Sequence, residues 1–288
     1  VNVLRNLALE HARGHEFVLQ LDVDFLPSSG LHAALGSGEM LAARLCPPRQ
    51  VSAAPLVALI VPALEPTCEE EADALASGAW NADSARGWLR TGKVRPMAWA
   101  QFPTGHRATD FGRWLRGAGE DEGAAWAYGP AAYEEGFEPF LLLRSSTAPP
   151  FDERLSGYGR NKCLQVFHLH AMGCEFQVLY DGCLLHVPHA PSDACTRTLG
   201  CGNPGLRDAA RLEQVKATYR AAKLELLAAG APLRYSKLQA GPPVLPASWS
   251  RLGGAEQDLT QDVPQLLAEQ AASLQGGTGD TLPPELEP

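Results

Sequence analysis

Five short, apolar-rich runs set the tightest limit on what this chain can fold into: Phe17–Leu21, Leu56–Val61, Phe140–Leu143, Glu175–Leu179 and Cys183–Val187. Each has the length of a buried strand and falls well short of a core helix. Helical spacing fills the intervals between them. Leu4, Leu7 and Ala8 recur after Asn2, a candidate cap, and Gly14 closes that segment. Residues 69–90 open on Glu69-Glu-Glu71 and end near Gly92, residues 161–172 put Leu164, Phe167 and Ala171 on one side, and residues 205–229 are rich in Ala, Leu, Lys and Glu. Strands alternating with helices predict an α/β domain whose sheet is covered on both faces. Asp181-Gly182 predicts the turn joining the last two strands. Between residues 101 and 136, Trp114, Trp126, Tyr128 and Tyr133 are spread through a Gly-rich stretch that predicts a long irregular excursion.

Charge removes one class of partner. Lys and Arg total 24 against 33 Asp and Glu, a net charge of −9, the wrong sign for gripping a nucleic-acid backbone. The chain is 288 residues long and 45% hydrophobic, enough for one sizeable core. Its Gly and Pro follow no fixed period, and beyond Gly230 the sequence turns to Pro, Gly, Gln and Ser. A folded unit over residues 1–230 with a low-complexity, disordered tail at 231–288 is therefore expected. Seven cysteines include no CxxC pair, which argues against a zinc ribbon. Cys195 and Cys201 are close enough in sequence to pair in an oxidising lumen. No run approaches the roughly 18 apolar residues of a membrane span. The opening Val1, already inside a helical pattern, suggests a fragment of a longer protein.

Asp22 and Asp24 close the first apolar run. Two carboxylates two residues apart at a strand end can project together, and strand ends of α/β folds are where ligands bind; such a pair suits a divalent cation bridging a diphosphate, or simply a turn and a cap. His186 and His189 flank a proline after the last apolar run, and imidazole completes a ligand set that a borderline cation such as manganese accepts. Asp22, Asp24, His106, His186 and His189 would also serve a hydrolytic metal site.

Seven blocks carry a family resemblance. They are Val1-Asn-Val-Leu-Arg-Asn-Leu-Ala8, Leu21-Asp-Val-Asp-Phe-Leu-Pro-Ser28, Leu59-Ile-Val-Pro-Ala-Leu-Glu65, Thr104-Gly-His-Arg-Ala-Thr-Asp110, Phe137-Glu-Pro139, Phe151-Asp-Glu-Arg-Leu-Ser-Gly-Tyr-Gly-Arg-Asn-Lys162 and Leu185-His-Val-Pro-His-Ala-Pro-Ser192. In this order they resemble glycosyltransferase family 49, over residues 1 to about 230. The resemblance implies an inverting, metal-dependent enzyme of GT-A type with a mostly parallel central sheet, here the C-terminal two thirds of that domain. It implies a UDP-sugar donor, glucuronic acid before N-acetylglucosamine, and a glycan or glycoprotein acceptor. Asp22 and Asp24 match the family's DxD, which holds Mn2+ against UDP, and His186 matches the third ligand; His189 would shape the loop or approach a phosphate. Asp152 is the preferred base and Glu138 the second, because Asn161 and Lys162 stand where other inverting families carry an acidic pair. Arg154, Asn161 and Lys162, with Arg107 and His106, become candidate donor-binding residues, and Tyr158, Trp114 and Trp126 candidate stacking platforms. The implied setting is the Golgi lumen, with membrane attachment through an upstream anchor absent from this chain. A noncatalytic glycan-binding protein of the same fold is the alternative from another class.

Overall fold

The computed structural model describes residues 1–45, 56–68, 75, 78–119 and 126–229. The expected tail at 231–288 lies outside the described residues, as do 69–74, 76 and 77 of the helix expected over 69–90.

The chain starts with helix α1 (Asn2–Ala12) and short strands β1 (Phe17–Leu19) and β2 (Phe25–Pro27), followed by helices α2 (Leu31–Leu35) and α3 (Gly38–Leu45). Strands β3 (Val57–Val61) and β4 (Ala63–Pro66) are separated by Pro62 alone, and α4 (Ala82–Thr91) leads into β5 (Val94–Pro96). The aromatic excursion contains more regular structure than expected: two 3-10 turns, helix α5 (Phe111–Arg116) and strand β6 (Ala127–Ala131). Then come β7 (Phe140–Arg144), α6 (Asn161–Ala171), β8 (Glu175–Leu179), β9 (Leu184–His186), α7 (Asp193–Leu199) and the long α8 (Ala209–Ala228). Asn81 caps α4 by accepting from Ser84 N–H, and Asp208 caps α8 by accepting from Arg211 N–H. Asn2 does not cap α1: Val1 holds that position, and the Asn2 side chain donates to the Asp152 carbonyl instead.

The described strands form two sheets, β1-β7-β3-β8-β6 and β2-β9-β4-β5. This corrects the expected GT-A arrangement with a mostly parallel central sheet. Only β3/β8 and β4/β9 run parallel; β1/β7, β2/β9, β3/β7, β4/β5 and β6/β8 are antiparallel. The physical reason lies in burial. Continuous apolar runs report a strand covered on both faces, and antiparallel strands packed between layers read the same way. Strand alternation confirms the covering: Ala58, Ile60, Leu141, Leu143, Phe176 and Val178 point into one core, with α4, α5 and α6 over it. Val57, Leu59, Val61, Phe140 and Leu142 point into a second, closed by Phe25, Leu31 and Leu41. A third cluster joins α6 to α8 through Phe167, Leu164, Val215 and Tyr219.

Asp181-Gly182 makes a turn but no hairpin, since β8 and β9 belong to different sheets. A Cβ on Gly182 would meet Leu31 Cδ1 at 2.3 Å and Leu179 Cδ2 at 2.7 Å. A side chain there would force Leu31 and Leu179 to repack.

Candidate metal centre

The stretch after β1 also crosses from one sheet to the other, and this crossing carries the acidic pair. It turns as it crosses: Phe25 N–H donates to the Asp22 carbonyl at 3.3 Å. Two carboxylates that would share a side in an extended strand thereby take different partners. Asp22 Oδ1 accepts from Arg5 Nη2 at 3.1 Å and its Oδ2 from Lys162 Nζ at 3.0 Å. Burial alone would raise the Asp22 carboxyl, but Lys162 and Arg5 outweigh it and hold the group below the ordinary carboxylate range.

Asp24 has different partners. Antiparallel pairing of β2 with β9 sets Phe25 opposite His186, and Val187 N–H donates to the Asp24 carbonyl at 2.7 Å. Asp24 Oδ2 then lies 3.3 Å from His186 Nε2 and 2.8 Å from His189 Nε2. The far side of the His189 ring meets the Ala190 carbonyl through Nδ1 at 2.7 Å. That carbonyl first, and Asp24 second, raise the His189 imidazole above its usual range. His186 is set by its neighbours, with Phe25 at 5.1 Å between ring centres. One carboxylate oxygen and two imidazole nitrogens within 4.8 Å of one another fit a borderline divalent cation, which accepts mixed N and O donors.

Lys162 is the second residue of α6 and sits 4.1 Å above the Phe140 ring. Burial alone would lower its ammonium, yet Glu138 and Asp22 raise it above the ordinary lysine range. The backbone before α6 is unusual: Gly157, Gly159 and Arg160 all have positive φ, which two glycines make inexpensive. Asn161 donates to the Gly157 carbonyl at 3.0 Å and so braces this turn. Tyr158 projects from it. Burial is the main reason its phenol is raised, and the charges of Glu138, Lys162, Asp22 and Asp24 also act on it. Glu138 therefore belongs to the same charged surroundings as the acidic pair. Its Oε2 accepts from the Cys163 thiol at 3.5 Å.

Asp152 is occupied differently. Its carboxylate accepts from Arg154 Nη2 at 2.6 Å, and Arg154 reaches on to Glu225 on α8 at 2.7 Å. The Arg154 hydrogen bond holds the Asp152 carboxyl below its ordinary range. Arg107 pairs with Glu134, and His106 is buried with its ring stacked 6.1 Å from Phe140. Trp114 is fully buried, its indole N–H on the Tyr180 carbonyl at 3.0 Å, so it anchors the core. Trp126 is half-buried and Tyr158 exposed.

Two members of this neighbourhood were given other roles or none from sequence. The resemblance gives His189 the loop or a phosphate, and only the hydrolytic alternative makes it a ligand, although His-x-x-His after a strand is a metal-like spacing. Arg5 was unassigned, although it is the one cation in the first block and lies on the polar stripe of an otherwise apolar helix. Cys195 and Cys201 form the disulfide that their spacing allowed. No helix among the described residues is long and apolar enough to cross a membrane.

The profile of the family described as "Glycosyl-transferase for dystroglycan" matches residues 1–190. The chain is 31% identical to xylosyl- and glucuronyltransferase LARGE2s of Gallus gallus over 233 residues, covering 80% of this chain and 28% of the relative. It is 32% identical to the glycosyltransferase-like protein gnt14 of Dictyostelium discoideum over 194 residues, 67% of this chain and 27% of the relative. It is 32% identical to beta-1,4-glucuronyltransferase 1 of Mus musculus over 185 residues, 64% of this chain and 40% of the relative. The chain thus spans about a quarter of the length of the LARGE-type relatives it matches. With the family profile over most of its length and these identities behind it, the chain belongs to glycosyltransferase family 49.

Proposed function

We propose that this chain forms part of an inverting transferase that moves a sugar, glucuronic acid in the first instance, from a UDP donor to a glycan acceptor. The observation that carries the reading is the convergence of Asp24, His186 and His189 in a chain of this family. These residues would hold Mn2+, which when bound supplies Lewis acidity against the charge that develops on a departing diphosphate. Lys162, half-buried beside Asp22, adds a fixed positive charge to the same surroundings.

Inversion requires a base on the face opposite the leaving group. Glu138 fills that role better than Asp152. Its carboxylate accepts from a thiol, whereas both Asp152 oxygens are held by the Arg154 guanidinium, which leaves little affinity for an acceptor proton. Arg154 and Asn161 act as braces in this scheme, and Tyr158 offers a ring face to a sugar. A lumenal Golgi setting accords with the Cys195–Cys201 disulfide.

The test is Mn2+-dependent release of UDP from UDP-glucuronic acid and from UDP-N-acetylglucosamine by the intact protein. Asp24→Asn should abolish release while the far-ultraviolet circular dichroism stays unchanged. Undiminished turnover in that variant refutes the cation site. Glycan binding that persists with EDTA and without any turnover would establish the noncatalytic alternative.

A further inference from the structure

We propose that the cleft between the end of α1 and the end of β7 binds an acidic sugar through its oxyanion, a carboxylate or a phosphate, at a site apart from the candidate metal centre. The oxyanion half of the assignment rests on the cleft alone; the sugar half rests on the glycan acceptor proposed above.

The cleft has a volume of about 650 Å³, within the usual range for small-molecule sites and more than a bare inorganic anion fills. The α1–β1 connection contributes Arg13, His15 and Glu16 to its lining, and the end of β7 contributes Arg144, Ser145 and Ser146. A strand ladder holds the two segments together: Phe17 pairs with Arg144, and Ser145 N–H donates to the Glu16 carbonyl at 2.9 Å. Beyond Arg144 the chain closes a 3-10 turn, with Ala148 N–H and the Thr147 hydroxyl on the Arg144 carbonyl at 3.1 and 3.0 Å. The lining is therefore carried on regular, hydrogen-bonded backbone. The same ladder separates the cleft from the acidic pair. Glu16 stands before β1 and Asp22 after it, and the extended stretch from Glu16 to Gln20 alone spans about 13 Å.

In a chain of net charge −9, this lining is locally cationic, with two guanidiniums and one carboxylate. Arg13 has no carboxylate partner among the described residues. Arg144 Nη2 meets Glu16 Oε1 at 2.8 Å, with 36% and 48% of the two side chains exposed. An ion pair that open contributes little, so a ligand carboxylate or phosphate can take the place of Glu16, and the guanidinium fork matches either. Arg144 Nε and Ser145 Oγ are buried with no hydrogen-bond partner among the described residues. Polar groups left in that condition cost free energy, and an oxyanion seated against these two neighbours supplies an acceptor for both. Basic residues after a helix C-terminus also complement its dipole. That accounts for Arg13 and His15, but not for the two unmet groups on the β7 side. Glu16 and Ser146, both exposed, supply the acceptor and the donor that ring hydroxyls of a sugar require.

Saturation-transfer NMR titrations of the full chain, in EDTA and without nucleotide, test the assignment with methyl β-glucuronide, glucose 6-phosphate and the neutral methyl β-glucoside. Inorganic phosphate serves as competitor. The two acidic sugars should bind and the glucoside should not; a preference between the two names the oxyanion and supports the site either way. Arg13→Gln should weaken both about tenfold, the effect of removing a charge-assisted hydrogen bond. Glu16→Gln should tighten both about two- to fivefold by freeing Arg144. Gly14→Glu adds a carboxylate to the lining without a clash, since a Cβ there meets nothing within 4 Å, and should abolish binding in a chain of unchanged circular dichroism. Affinity that stays the same in both Arg13→Gln and Gly14→Glu overturns the cleft, and a lowered melting temperature alone makes Arg13 a helix-dipole residue. Inorganic phosphate that binds as tightly as glucose 6-phosphate overturns the sugar assignment. Mn2+-dependent UDP release is read on the same proteins. Release without acidic-sugar binding overturns this inference and leaves the transferase reading intact; Arg13-dependent binding without release supports the cleft and sinks that reading.

Discussion

His106 offers a quantitative test of how this fold responds to acid. Its ring is 3% exposed, stacked on Phe140, with the Lys162 ammonium nearby. Burial, and secondarily Lys162, push its imidazole down to about 3 from an ordinary 6.5. The folded protein therefore keeps His106 neutral where the unfolded chain binds a proton. Stability from this group is complete above the unfolded value and is lost as pH falls through 6.5 toward 3. At about pH 5 the loss comes to about 2 kcal/mol, because roughly 1.5 pH units separate that pH from the unfolded value and each is worth about 1.4 kcal/mol. The figure hardly depends on the folded value, provided that it lies below about 4. His106→Phe keeps an aromatic ring on Phe140 and removes the titration. Urea denaturation of wild type and variant at about pH 7.5 and about pH 5 gives two stability differences, and the wild type should lose about 2 kcal/mol more than the variant. Other histidines contribute equally to both proteins and cancel. Equal losses would mean that His106 titrates alike in folded and unfolded chains, and the burial argument would be refuted.

Arg86→Met should cost about 2–4 kcal/mol by urea denaturation with an unchanged slope. Arg86 donates to the carbonyls of Trp114 at 3.0 Å and Tyr180 at 2.6 Å, but each carbonyl keeps another donor, Gly117 N–H and the Trp114 indole respectively. Glu135→Gln should cost about 3 kcal/mol, because Lys223 and Tyr219 both hold α8 through that carboxylate at 2.6 and 2.7 Å; proteolysis within α8 should accelerate in step. Gly182→Ala should lower stability by about 1–3 kcal/mol through repacking of Leu31 and Leu179, read as a drop in melting temperature.

The sequence and the structure agree where the signal is local and disagree where it is not. Strand β8 appears at Glu175–Leu179 and helix α6 at Asn161–Ala171, within a residue of where apolar spacing and the preceding glycines put them. Helix α8 begins at Ala209 rather than 205, because Pro204 first closes a 3-10 turn and Asp208 then supplies the cap. Strand direction was not legible. Phe140–Leu143 has the same composition whether it pairs parallel or antiparallel with Val57–Val61, and only the long path between them, through a second sheet, decides the matter. Nor did the period-2 rule hold over Asp22–Asp24, since it presumes extended backbone and the Asp22–Phe25 turn removes that premise.

That turn also explains why the candidate site sits where it does. Two sheets built from one short chain must be joined by crossings with little room, and the described residues show one at Pro62, one at Asp181-Gly182 and one at Leu21–Asp24. At a crossing, strand ends of both sheets lie side by side, and backbone that has left one ladder has not yet joined the next. Side chains there are free to bind something other than the core, while the flanking strands keep them rigid. Asp24 enters β2 and His186 leaves β9, two paired strands of one sheet, so their separation is set by a ladder. Asp22 still belongs to the side of β1, and its partners come from α1 and α6. The different partners of the two carboxylates follow from the division of the chain between two sheets. Inserting a glycine between Asp22 and Val23 lengthens the crossing and leaves the β2/β9 ladder in place, so Mn2+ binding should survive it; loss of binding in a chain that retains its circular dichroism would show that the ladder does not set the ligand geometry.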